Sequence, residues 1–122
     1  MHRKHRRVRP PQAAREILQQ ISEVVHNPVR ERFELWVAGD LVGVLGYRYN
    51  DDARATDPHV TILHTVLYDE YSGHGLATRL SATAVDHLHR QGLHITALCS
   101  FTRHYLQAHP ALRTPAPYRT AS

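Results

Sequence analysis

The chain has 122 residues, 42 % of them apolar, with a formal net charge of +4 and one cysteine. That length suits one domain with one core. No run reaches the roughly 18–20 apolar residues of a membrane-spanning helix, and no apolar stretch of signal-peptide type follows the charged first residues. A lone thiol excludes an internal disulfide, so a cytoplasmic setting is expected.

Residues 1–11 read as a flexible basic arm ending in Pro10-Pro11, with Arg3, Lys4, Arg6, Arg7 and Arg9 and no acid among them. Nucleic acid is an expected partner only through this arm. Residues 12–20 form a possible short helix, and the folded domain is expected over 21–112. Val24 and Val25 begin a first strand, and Asn27-Pro28 marks a turn. Phe33, Leu35 and Val37 alternate with Glu34 and Trp36, the pattern of a half-buried strand. Gly39-Asp40 fits a two-residue hairpin turn, and the chain returns from Leu41 to Tyr49. Residues 50–58 are polar and read as a loop.

Val60 to Leu67 is apolar on both faces, which suits a central strand. His64 falls on the face of Val60, Ile62 and Val66. The period then changes: Leu76, Leu80, Ala84 and Leu88 recur every fourth residue, an amphipathic helix packed on a sheet, with Gly92 at its C-terminal cap. Leu93 to Leu98 is a short strand. Phe101 to Ala108 is a second helix stopped by Pro110, and residues 113–122 form a loose tail. Antiparallel strands, a strand–helix–strand unit and a closing helix give an α/β fold with a mixed sheet.

Between the strand and the long helix lies Asp69-Glu70-Tyr71-Ser72-Gly73-His74-Gly75-Leu76-Ala77. A glycine turn feeding a helix N-terminus gathers backbone N–H groups and the positive end of the helix dipole, which suits a phosphate. Two glycines there also serve a plain tight turn. The dinucleotide pattern fails at Thr78, and no Gly-Lys-Ser/Thr of a triphosphate loop follows.

Residues 70–77 resemble the acetyl-CoA motif of the GNAT acyltransferase superfamily. The wider pattern resembles its small single-domain subgroup: Arg32-Phe33-Glu34-Leu35, His64-Thr65, Gly73-His74-Gly75, Cys99-Ser100-Phe101, Tyr105 and His109-Pro110 stand in that order. The resemblance covers roughly residues 24–112. It implies a GNAT-like, mostly antiparallel sheet and transfer of an acetyl group from acetyl-CoA to an amine. It also implies that Tyr71, Ser72, Gly73, His74, Gly75, Leu76 and Ala77 hold the coenzyme. Two departures from the subgroup matter: Val66 replaces a Glu after His-Thr, and Ser72 replaces an Arg before the first glycine; Ser100 also stands where a Pro is common after the Cys. The first removes a strong base, and the second removes a cation near a CoA phosphate. Both leave room for an alternative, a CoA-binding module without catalysis.

Three residues are candidates for the chemistry. Cys99 precedes a helix, where the dipole lowers a thiol's pKa; a small buried residue is its other reading. The resemblance implies that Tyr105 protonates the departing CoA thiolate; taken alone it is a packed aromatic. His64 is either a hydrogen-bonded core residue or a base near Cys99. No zinc-type Cys/His spacing exists, so no metal is expected. Trp36 and the hairpin could form a dimer surface, which leaves monomer and homodimer both open.

Overall fold

The computed structural model describes residues 12–50 and 58–115. The basic arm, most of the polar loop and the end of the tail lie outside the described residues. Helix α1 (Gln12–Ile21) leads into β1 (Ser22–Asn27), β2 (Arg32–Val37), β3 (Asp40–Asn50) and β4 (His59–Leu67). After a 3₁₀ turn at Asp69–Tyr71 come α2 (Leu76–Arg90), β5 (His94–Ala97), α3 (Ser100–Ala108) and a 3₁₀ turn at Pro110–Arg113. The five strands lie side by side in chain order. The first three joins are antiparallel, and β4 and β5 are parallel across the α2 crossover. The α/β fold expected from the sequence is the one observed.

Apolar side chains of one sheet face, among them Phe33, Leu35, Leu45, Tyr47, Val60 and Ile62, meet the stripe Leu76, Leu80, Ala84, Val85 and Leu88 of α2. Burying such side chains contributes about 1.5–3 kcal/mol each. Helix α2 ends in a Schellman arrangement: Gly92 has φ +80°, its N–H reaches the His89 carbonyl at 3.0 Å, and the Leu93 N–H reaches Leu88 at 3.4 Å.

The β2–β3 hairpin turns at Ala38-Gly39, one residue earlier than the sequence suggested. Val37 pairs with Asp40, and Ala38 and Gly39 have φ of +49° and +86°. Two central residues at positive φ are the mark of a type I′ turn, whose twist matches the flanking strands.

The larger correction concerns β4. Gly46 pairs with His64, but Tyr47 pairs with Ile62, so Leu63 has no partner on β3. This bulge reverses the alternation. Val60 and Ile62 face the helices, whereas His64 and Val66 turn to the opposite face, where Val66 is 59 % exposed. Thr65, paired with Leu45, takes the helix side.

Candidate active site

Strands β4 and β5 stay paired from His59/His94 to Ile62/Ala97, and the Leu98 N–H still reaches the Ile62 carbonyl at 2.8 Å. Beyond this point they part. Strand β4 runs on to Leu67, while the other chain turns into α3 at Cys99. The bulge at Leu63 thus coincides with the opening of a gap along the upper half of β4.

At the end of β4 the Gly73-His74-Gly75 turn starts α2. Gly75 is the N-cap residue at φ +78° and offers no side chain to the first helical N–H groups. The first turn of a helix has donors without intrahelical acceptors. Among the described residues, backbone hydrogen bonds around the loop use none of the N–H groups of Gly73, His74, Gly75, Leu76, Ala77 and Thr78. Tyr71 and Ser72 differ. Their N–H groups close the 3₁₀ turn onto Tyr68 (2.9 Å) and Asp69 (3.0 Å), and the Ser72 hydroxyl also donates to the Asp69 carbonyl at 2.7 Å. The sequence reading therefore extended the donor set two residues too far; the free run begins at Gly73.

Helix α1 packs over this turn. The Gln19 side chain donates to the His74 carbonyl at 3.0 Å. Arg79, on α2, donates to the carbonyls of Gln19 (3.0 Å) and Ser22 (3.2 Å) and so clasps the end of α1. The Nη2 atom of Arg15 lies 3.5 Å from where a Cβ on Gly75 would be.

Cys99 is the N-cap of α3 and is partly buried. Its Sγ lies 3.4 Å from the Thr65 Oγ1. Thr65 lies 3.5 Å from the Thr102 hydroxyl, which meets the Ser81 hydroxyl at 3.2 Å. Thr102 and Ser81 are fully buried. Burial alone would push the thiol pKa up. The Thr65 hydroxyl, the N–H groups of Thr102 and Phe101, and the Thr102 hydroxyl outweigh it, leaving the pKa below the usual thiol value. This hydroxyl chain escaped the sequence reading. Its trace was visible, since Ser81 is a polar residue set between Leu80 and Ala84 on the apolar stripe.

Tyr105 packs on the core and stacks on His109, with ring centroids 4.3 Å apart; it is not among the hydrogen-bond partners of the Cys99 thiol. His64 is exposed on the sheet face away from Cys99, so neither the core position nor the neighbourhood of Cys99 expected for it is found. Its ring lies over Gly46, where a Cβ would sit 2.5 Å from its Cε1. It borders a shallow concavity of about 500 Å³ that is also lined by Arg30, Arg32, Arg48 and Val44. Among the described residues no group of three or more His, Cys, Asp or Glu side chains could hold a metal ion.

This arrangement, a sheet that opens beside a helix N-terminus rich in free N–H groups, is that of an acyltransferase fold. The family model for GCN5-related N-acetyltransferases matches residues 32–114, and the chain belongs to that family. It is an N-acetyltransferase whose acceptor is unidentified. The fold is similar to that of a GCN5-like protein from Staphylococcus aureus, with TM-score 0.55 and 23 % identity over 80 % of this chain and 90 % of that one. A ribosomal-protein-alanine N-acetyltransferase from Brucella melitensis biovar Abortus 2308 aligns with TM-score 0.48 and 17 % identity over 75 % and 68 % of the two chains. No curated protein matches the sequence.

Proposed function

We propose that this N-acetyltransferase holds the diphosphate of acetyl-CoA on the N–H groups of Gly73, His74, Gly75, Leu76 and Ala77 and acetylates an amine in the gap between β4 and β5. The observation that carries this reading is the run of donors from Gly73 into α2, used by no acceptor among the described residues, at the end of the strand where the sheet opens. Charge-assisted hydrogen bonds of this kind contribute about 1.5–3 kcal/mol each. Bound acetyl-CoA supplies a thioester, whose carbonyl carbon gains the amine nitrogen as its bond to sulfur breaks.

The remaining work falls to side chains of this protein. Cys99 lies beside Thr65 on the stretch of β4 that leads to the loop. Its lowered pKa favours the thiolate, which could take the acetyl group itself; beside a direct transfer it would instead line the acetyl pocket. His64 borders the Arg30–Arg48 concavity on the opposite face of the sheet and is the candidate base for an acceptor entering there. Tyr105 is the candidate proton donor to the departing thiolate. A free thiol supports cytoplasmic work, as a monomer or a homodimer.

The test is to incubate the protein with acetyl-CoA and a panel of amines, following thiol release and intact mass. Release that depends on an amine supports the proposal. An acetyl adduct on Cys99, with activity lost in Cys99→Ala, assigns the covalent route; activity retained in that variant assigns direct transfer. An absence of binding to both acetyl-CoA and CoA overturns the reading.

A further inference from the structure

The phosphate loop carries the wrong charge for its proposed ligand. Residues 69–75 include Asp69 and Glu70 and no Lys or Arg. Ser72 stands at the position before the first glycine and brings no cation. Resting on the acetyl-CoA reading, we infer that Arg15 of α1 supplies that charge and binds the coenzyme's diphosphate.

Three observations converge. Arg15 Nη2 lies 3.5 Å from the Cβ position of Gly75, the residue that caps the free N–H groups. Among the described residues its Nε, like Arg79 Nε and His74 Nδ1 on the loop and the first turns of α2, is buried without a hydrogen-bond partner, so no acceptor there holds this guanidinium. Its Nη2 end is the one that lies against Gly75 and would meet an anion seated there. Finally, α1 is fixed there by polar contacts: Arg79 holds the carbonyls of Gln19 and Ser22, and Gln19 holds the His74 carbonyl. Arg79 spends both terminal nitrogens on this clasp, which makes it a positioning residue. The guanidinium of Arg15 remains for the ligand. Helix α1 precedes the family-matched region, which begins at residue 32. The charge is thus brought by a segment outside the family's own motif.

The test uses the full chain and calorimetric titration. The ligands are CoA, 3′-dephospho-CoA and phosphate-free pantetheine, with wild type, Arg15→Gln and Arg15→Lys compared. Arg15→Gln should weaken CoA roughly 10- to 100-fold, and 3′-dephospho-CoA equally. It should leave pantetheine binding unchanged without lowering the melting temperature, and Arg15→Lys should recover part of the loss. Equal binding of CoA by wild type and Arg15→Gln overturns the inference while the donor reading stands. So does tighter binding in Arg15→Gln, which would make α1 a cover over the loop, or an effect that vanishes with 3′-dephospho-CoA. A wild-type protein that does not bind CoA overturns the donor reading itself.

Discussion

At the scale of single residues, the thiol at the head of α3 has its properties set by neighbours on three elements. Thr65 comes from β4, Thr102 from α3, and Ser81, behind them, from α2. Removing the Thr65 hydroxyl with Thr65→Val should shift the pH profile of Cys99 alkylation upward, because burial then meets less opposition. A profile that stays in place would show that the helix N–H groups and the Thr102 hydroxyl hold the thiolate without Thr65. Glu34 is a second residue whose surroundings decide its state. It is buried, and it accepts hydrogen bonds from Asn27 (3.0 Å), Arg32 (2.7 Å) and Trp36 (3.1 Å). Glu34→Ala leaves three donors short of an acceptor and should cost about 2–3 kcal/mol in chemical denaturation.

At the scale of elements, the hairpin and the glycine loop make opposite demands. Ala38 adopts φ +49° for the sake of a tight turn, a conformation an L-residue enters at about 1–2 kcal/mol. Ala38→Asn, better suited to a type I′ turn, should raise the melting temperature by a few degrees. Gly75→Ala should do harm twice. The backbone is strained at φ +78°, and the added carbon would approach Gln19 Nε2 to 2.8 Å. The variant should fold with a lower melting temperature and bind CoA more weakly; unchanged affinity would argue that the loop geometry is not used. These elements also show what could be read in advance. The repeat of Leu76, Leu80, Ala84 and Leu88 and the inward set Phe33, Leu35 and Val37 of β2 survive because each reflects burial on one continuous face, although Glu34 between them is buried as well. The bulge at Leu63 left no mark, since an apolar residue more or less does not change an apolar run. His64 was therefore assigned to the wrong side. The amides of Tyr71 and Ser72 were miscounted because a 3₁₀ turn consumes them without a glycine or proline to announce it. Arg15 sits far from the motif in sequence and meets it only through tertiary packing.

For the whole molecule, His26 and Glu34 tie stability to pH on the acid side. His26 lies at the lower end of the sheet, 2.6 Å from the Tyr47 hydroxyl and with its ring 4.6 Å from that of His87. Burial first, and the charge of His87 second, lower its pKa below 6.5. The unfolded chain thus takes up the proton more readily than the folded one. Stability is complete above about pH 6.5, declines as the pH falls below it, and levels off beneath the folded value. Glu34 is lowered too, by its hydrogen bond from Asn27 foremost and those from Arg32 and Trp36, against the opposing effect of burial. Its contribution is present above pH 4.5 and is lost as the pH falls further. Melting temperature against pH should show two declines, of which His26→Gln removes the first alone.

The unpaired residue in β4 also governs which chemistry each side of the protein presents. Excising Leu63 would leave Ile62 opposite Tyr47 and His64 opposite Gly46 as successive pairs, so His64 through Leu67 would keep their sides. A residue added to β3 between Gly46 and Tyr47 would instead give Leu63 a partner and put His64 on the face of Ile62, turning the imidazole inward and the threonine that steadies the sulfur to water. One codon gained there would keep every side chain and rearrange the reaction centre.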